Sequence, residues 1–226
     1  MSRGVLVTGG NRGIGASIAE AFRNLGDEVV ALSSADVDLA DPDAIARAVD
    51  SAVDVLGGVD VLVNNAGLVE LGSVSDRSYA EWQALWRRTF DVNVFGAANM
   101  SYCVAKHMVD RGVRGRIVNV GSRGAFRGEP DMPAYGASKA ALHAMGQSLA
   151  LHLAPHGIAV ATVAPGFVAT ERVADMVTDE VREQSPFGRV ARPEEVAAAV
   201  VYLASPAAEW ASGAVLDLNG ASYLRT

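Results

Sequence analysis

A doubly wound α/β architecture, one mostly parallel sheet with helices on both faces, is what this sequence predicts. Three features carry that expectation: short aliphatic runs without alternation, helical patterns between them, and a length suited to one core. The runs are Val5 to Thr8, Glu28 to Leu32, Asp36 to Leu39, Val59 to Val63, Ile117 to Val120, Ile158 to Val163 and Val215 to Leu218, seven candidate strands. An open face would show alternation; continuous apolar runs fit strands covered on both sides. With 226 residues and 50% hydrophobic content, the chain can bury one sizeable core and has little material for a second. No repeat, low-complexity tract or Pro/Ser-rich linker divides it, so residues 1–226 are expected to form a single domain.

The helices follow in order. The first carries Ile14, Ile18, Ala21, Phe22 and Leu25 on one face, with Gly26 placed to end it. The next starts at Asp41 as cap and Pro42 as first residue, and buries Ile45, Val49, Ala52, Val53 and Leu56. Another begins at Pro193, where Glu194 and Glu195 suit the positive helix start.

Composition narrows the function. A net charge of −7 argues against a partner made of nucleic acid or anionic lipid. Cys103 is the only cysteine, which rules out an internal disulfide framework or a multi-thiolate metal site. His152 and His156 share a helical spacing, but Pro155 lies between them and no third ligand is at hand, so no metal is expected. Asp41 and Asp43 in DVDLADPDA belong to a helix start rather than a cation loop. No run approaches the roughly 20 apolar residues of a membrane span. The N-terminal residues pass into a strand without the marks of a secretory leader, so a cytoplasmic protein is expected.

The first strand is followed by Thr8, Gly9, Gly10, Asn11, Arg12, Gly13, Ile14 and Gly15, and then by the amphipathic helix. A pyrophosphate must approach the backbone closely, so glycine belongs where a Cβ would obstruct it. The free N–H groups of the helix start attract the anion. In this strand–turn–helix context the pattern predicts dinucleotide binding and a Rossmann-type fold. At the end of the second strand stand Leu32, Ser33 and Ser34, with no carboxylate to repel a 2′-phosphate and Arg12 available to pair with one. NADP is therefore expected over NAD, although Asp36 lies only a few residues on.

Tyr135 and Lys139 are four residues apart in the helical pattern YGASKAALHAMGQSLALHL and share a face. A phenol with a pKa near about 10 is a poor base at neutral pH, and an adjacent ammonium would stabilise its anion. Ser122 stands just past the strand RIVNV, at the carboxyl edge where ligands of open α/β sheets bind.

TGGNRGIG, NNAG at Asn64 to Gly67, Asn93, Ser122, YGASK and PGFVAT at Pro165 to Thr170 occur in this order, with Ser122 and Tyr135 thirteen residues apart. In these motifs, from Val5 to about Gly220, the chain resembles the short-chain dehydrogenase/reductase family. The resemblance implies an NAD(P)-dependent oxidoreductase acting between a carbonyl and a secondary alcohol. It makes Tyr135 the general acid/base, Lys139 the residue that lowers its pKa and holds the nicotinamide ribose, and Ser122 the group that orients the substrate oxygen. Asn93 would complete a tetrad through a water relay, or stabilise a helix kink. Asn64, Ala66 and Gly67 would line the adenosine side, Asp38 would meet the adenine, and Val168 and Thr170 in the run begun by Pro165 and Gly166 would contact the nicotinamide carboxamide. A homodimer or homotetramer built through the helices after Asn93 and Tyr135, with the last strand as a second contact, is also implied.

One departure stands out. Family members carry a helix between strands two and three, whereas only Ser33, Ser34 and Ala35 separate Leu32 from Asp36 here. Parallel neighbours need a crossover of a dozen or more residues, so either the third strand is displaced or lost, or this edge of the sheet is rebuilt. Two rival readings remain: a catalytically silent NAD(P)-binding sensor or scaffold, and an epimerase or dehydratase, which would need a longer substrate domain. Glu171 to Pro186 is expected to form a lid. Trp82, Leu85 and Trp86 are expected in a core or subunit contact.

Overall fold

The computed structural model describes residues 2–225. Six parallel strands run in the order β2-β1-β3-β4-β5-β6: β1 Gly4–Thr8, β2 Glu28–Leu32, β3 Val61–Asn64, β4 Arg116–Val120, β5 Ala159–Pro165 and β6 Val215–Leu218. The α-helices are α1 Gly13–Asn24, α2 Pro42–Leu56, α3 Tyr79–Phe90, α4 Ala97–Arg111, α5 Pro133–Leu153, α6 Asp179–Glu183 and α7 Pro193–Leu203.

Both faces of the sheet are buried, and the strands supply both with apolar side chains. Val5, Val7, Val61, Val63, Val118 and Val163 pack with Ile18 and Phe22 of α1 and Val196 and Val200 of α7. Leu6, Leu62, Ile117 and Val160 point the other way, against Ile45 and Val49 of α2 and Met100, Val104 and Met108 of α4. Successive residues of a strand face opposite sides, so two cores require the unbroken aliphatic runs seen in the sequence. Asp41 caps α2 as expected, accepting from the N–H groups of Asp43 and Ala44. Glu195 accepts the N–H of Arg192 at the start of α7. Leu25, expected on the buried face of α1, lies past its end and is 61% exposed.

The strand expected over Asp36 to Leu39 is absent. The chain turns at Ser33, where the Asp36 carboxylate accepts from the Ser33 N–H at 2.7 Å and from its hydroxyl at 2.6 Å. The backbone N–H of Val37 closes on the Ser33 carbonyl. No crossover could place this segment beside β2 in parallel, so β2 becomes the sheet edge. The alternation of Val37 and Leu39 reflects plugging: Val37 is buried with Leu6, Ile45 and Leu62, and Leu39 is partly buried beside it.

The strand order reverses between β1 and β3, because the chain leaves β1 for β2 and returns to β3 on β1's other side. That switch point opens a crevice at the carboxyl ends of the strands.

Candidate active site

A cleft of about 1150 Å³ lies over this crevice. Its lining includes Gly9, Asn11, Arg12, Gly13, Ile14, Gly15, Ser33, Asp38, Ala66, Gly67, Ser122, Tyr135, Lys139, Pro165, Gly166, Val168 and Thr170. Residues from six separate stretches of sequence thus meet around one space.

At one end is the turn after β1. Gly13 has a φ of 52°, in the left-handed region that side chains disfavour. A Cβ on Gly15 would come 2.1 Å from the Gly9 carbonyl oxygen and 2.4 Å from Asn65 Nδ2. The turn is folded so tightly that only hydrogen fits. Whereas α2 and α3 are capped by Asp41 and Ser78, α1 has no side-chain cap and no acidic residue in its first turn. Its uncapped start leaves N–H donors for an anion. A dinucleotide pyrophosphate fits this cradle.

The turn is tied to the loop after β3. Thr8 Oγ1 accepts from the N–H groups of Asn65 and Ala66, each at 3.1 Å. The Asn65 amide donates to the carbonyls of Thr8 at 3.0 Å and Gly9 at 3.1 Å. Of the two asparagines in NNAG, it is Asn65 that lines the cleft. Asn64, read from the sequence as an adenosine contact, is 3% exposed and turned into the core, where Nδ2 donates to Ser101 Oγ and Asn119 Oδ1, both at 2.9 Å. As the last residue of β3 it alternates away from the crevice. Asp38 reaches the cleft wall, its Oδ1 accepting from the Ala40 N–H.

At the other end are Ser122, Tyr135 and Lys139. Ser122 follows β4 and starts a 3-10 turn, with Oγ accepting the Gly124 N–H at 3.0 Å. Tyr135 and Lys139 lie on successive turns of α5. Lys139 is 3% exposed, and its Nζ donates to the Val120 carbonyl at 2.8 Å and lies 5.7 Å from the Tyr135 ring centroid. Burial lowers the ammonium pKa to about 8, helped by the charge of Arg172. Burial raises the Tyr135 phenol above its ordinary value, while hydrogen bonding to Ser122 and the charge of Arg172 pull it down. The groups that pull the phenol down are thus Ser122 and Arg172, beside the Lys139 ammonium that the sequence pointed to.

Asn93 lies in a π-helical turn, Asp91–Gly96, between α3 and α4. It is 1% exposed and outside the cleft lining. Its Oδ1 accepts the Leu68 N–H at 2.7 Å, and Nδ2 donates to the Leu68 carbonyl and to Ser138 Oγ, both at 3.0 Å. All its side-chain bonds tie the loop after Gly67 to α5, one turn from Tyr135.

Two side chains were not singled out from sequence. His143 continues the Tyr135–Lys139 stripe one turn further along α5 and is 4% exposed. Its Nε2 accepts the Ser122 N–H at 3.4 Å, and a Cβ on Gly121 would come within 2.0 Å of it. Arg123, 3% exposed, pairs with Glu129 at 3.2 Å and donates to Gln184 of the lid at 2.6 Å and to Ser222 at 2.5 Å. The four-residue spacing was the available signal for His143; nothing local to Arg123 predicts its distant partners. The lid expected over Glu171 to Pro186 holds a 3-10 segment, Glu171–Met176, and α6.

Burial, with the nearby Lys139 and Arg225 charges, holds the His143 imidazole down at about 4. An unfolded imidazole takes its proton near 6.5. The unfolded chain therefore binds the extra proton between these values, and stability falls as pH drops from about 6.5 to about 4. His143→Gln should flatten this part of the profile. Urea midpoints of both proteins at pH 7 and pH 5 measure it, and an equal drop in the two would refute the assignment.

The chain is similar to known proteins along most of its length. A family model described as enoyl-(acyl carrier protein) reductase matches residues 31–220. The chain is 32% identical over 241 residues to the 3-oxoacyl-[acyl-carrier-protein] reductase FabG of Vibrio cholerae, covering 97% of this chain and 96% of that one. It is 38% identical over 233 residues to a 3-alpha-(or 20-beta)-hydroxysteroid dehydrogenase of Mycobacterium bovis, covering 95% and 87%. The crystal structure of a 3-ketoacyl-(acyl-carrier-protein) reductase from Brucella melitensis complexed with NADH superposes with a TM-score of 0.90 at 27% identity, covering 98% of each chain. Fold, family model and full-length relatives agree: the chain belongs to the short-chain dehydrogenase/reductase family of NAD(P)-dependent oxidoreductases.

Proposed function

We propose that this chain interconverts a small-molecule ketone and its secondary alcohol, with Tyr135 as the acid/base and Ser122 holding the reacting oxygen. One observation carries the reading: Ser122 and Tyr135 share the end of a single cleft whose other end is the uncapped glycine cradle of α1. The dihydronicotinamide, when bound, supplies the hydride that the carbonyl carbon takes up. Tyr135 gives its phenolic proton to the carbonyl oxygen, and the Ser122 hydroxyl donates a hydrogen bond to that oxygen as it gains charge. A phenol raised by burial is protonated at neutral pH, the form that reduction requires. Lys139 returns positive charge to the phenolate left behind and would hold the nicotinamide ribose. Asn93 serves as a positioning residue, holding the loop after Gly67 against α5. Gly9, Asn11, Gly13, Ile14 and Gly15 would take the pyrophosphate, Ala66 and Asp38 the adenosine, and Val168 and Thr170, with Pro165 and Gly166 behind them, the carboxamide.

Arg12 and Asp36 act in opposite senses on the adenosine ribose. Arg12 has no carboxylate partner among the described residues and lines the cleft, so it attracts a 2′-phosphate. Asp36, absorbed by both donors of Ser33, brings a carboxylate to the end of β2. We assign the preference to NADP(H), with Asp36 as its restraint. Self-association is supported by the exposed side chains of Phe95, Tyr102, Leu151 and Trp210, in or beside the π turn, α4, α5 and β6.

Tyr135→Phe should keep cofactor affinity and lose roughly 10² to 10⁴ in turnover, the usual worth of a placed acid/base. Cofactor titration beside a ketone panel measures both. Unchanged turnover would remove Tyr135 from the chemistry, and wild-type binding without turnover of any ketone would favour a sensor. Asp36→Asn should raise the NADPH-over-NADH affinity ratio about tenfold and Arg12→Ala should lower it as much, a difference of ~1.4 kcal/mol each way; unmoved ratios would break the assignment. Sedimentation should find a dimer or tetramer at micromolar concentration, and a monomer throughout would refute self-association.

A further inference from the structure

We infer that Arg172 is a lid-borne phosphate-binding residue that takes the pyrophosphate of the dinucleotide and draws the lid onto it. The inference rests on the cofactor reading of the cleft and assigns to it a residue outside the glycine turn.

The root of the lid already touches the cradle. Thr170 precedes the Glu171–Met176 turn, and its Cγ2 would lie 3.3 Å from a Cβ on Gly13. From the second residue of that turn, the Arg172 side chain crosses the cleft and Nη1 donates to the Gly67 carbonyl at 2.6 Å. Gly67 is next to Lys139, since a Cβ there would come 3.3 Å from Nζ. Arg172 is close enough to Arg12 to feel its charge, and close enough to Lys139 and Tyr135 for its own charge to act on both. It therefore bridges the pyrophosphate end of the cleft and the reacting end.

Its pairing is incomplete. Several nearby arginines have carboxylates: Arg123 has Glu129, Arg77 and Arg88 share Glu70, and Arg182 has Asp179, whereas Arg127 donates to Gln184 and the Ser222 carbonyl. Arg12, Lys139 and Arg172 have none within ion-pair distance among the described residues. Three unpaired cations thus converge on one cleft of a chain whose net charge is −7. Burial first, and then the charge of a neighbouring cation, depresses both Lys139 (from Arg172) and Arg172 (from Arg12). One neutral carbonyl uses one of the five donors of a guanidinium, whose planar fork is suited to two oxygens of a phosphate. A pyrophosphate seated on the uncapped start of α1 brings that charge and those oxygens to the side of the cleft where Thr170 and Arg12 stand. Exchanging the Gly67 carbonyl for a phosphate oxygen then pulls the Glu171–Met176 turn and α6 over the bound cofactor.

The test is calorimetric titration of the wild type, Arg172→Met and Arg172→Lys with NADH, NADPH, ADP and adenosine. Arg172→Met should lose about 10- to 100-fold in affinity for NADH, NADPH and ADP alike, the worth of a hydrogen bond to a charged group, and none for adenosine. Arg172→Lys should recover part of the loss, having the charge without the fork. ADP should slow tryptic cleavage after Arg182 in the wild type and leave it unchanged in Arg172→Met. Equal affinities across the variants would overturn the inference, as would a loss shared by adenosine. Unchanged ADP affinity with a raised KM for the ketone would overturn it in favour of substrate binding. A wild type that binds none of the nucleotides would overturn both the inference and the cofactor reading, whereas intact wild-type binding with an indifferent Arg172→Met overturns the inference alone.

Discussion

The hydrogen bonds between Thr8 and the Asn65–Ala66 backbone, returned by the Asn65 amide to Thr8 and Gly9, hold the two lips of the crevice together. One lip is the glycine turn, whose spacing matters because a phosphate must meet N–H groups at hydrogen-bond distance. The other carries Ala66 and Gly67 along the cleft. Strand pairing aligns β1 with β3 only as far as Val7 and Val63, and beyond that register the backbones diverge. The threonine and asparagine side chains replace the ladder where it stops. They satisfy backbone groups that would otherwise be buried without partners, a cost of about 1–3 kcal/mol for each.

A second layer of buried amides repeats this solution further along the sheet. Asn64 joins β3 to α4 and β4 through Ser101 and Asn119, and Asn93 joins the loop after Gly67 to Ser138 of α5. His143 does the same beneath Ser122. Each side chain is itself buried behind the cleft wall and bonded across elements, although Asn64 Oδ1 and His143 Nδ1 have no hydrogen-bond partner among the described residues. The consequence is a cross-tied floor carrying Ser122, Tyr135 and Lys139. The Glu171–Met176 turn, mostly exposed, is the freer wall. Rigid acid/base groups beneath a movable cover suit a reaction that needs fixed geometry during proton transfer and an open route for exchange of a dinucleotide.

Much of this was legible in the sequence because it depends on local chemistry. Strand-facing valines, the Asp41–Pro42 start of α2, the glycines and the four-residue step from Tyr135 to Lys139 are constraints written within a few residues of one another. Where the reading failed, the deciding partner was remote. Asn64 and Asn65 are equivalent as neighbours in a motif, and only β3 ending at Asn64 determines which turns inward. Asn93, read from its motif as a relay residue or a kink stabiliser, makes its side-chain bonds to Leu68 and Ser138, both remote in the chain. At Tyr135, charge also arrives from Arg172, a residue of the segment read from sequence only as a lid.

The misread strand at Asp36 to Leu39 has a structural counterpart. Without a crossover helix, the chain reaches α2 directly, and the intervening residues must cover the bottom of the adenosine side themselves. Val37 does so from the core, and Leu39 does so by pressing on the π-helical turn. A Cβ on Gly96 would come 2.8 Å from the Leu39 carbonyl oxygen and 2.9 Å from its Cβ. Gly96 ends the turn that carries Asn93, and Asn93 fixes the loop after Gly67 to the helix of Tyr135. The shortened connection thus puts the segment bearing Asp38 in direct packing with the element that aligns the reacting end. Leu39 packed on Gly96 thus joins the adenosine wall and the catalytic floor into one packed unit, and glycine at position 96 is what that packing requires.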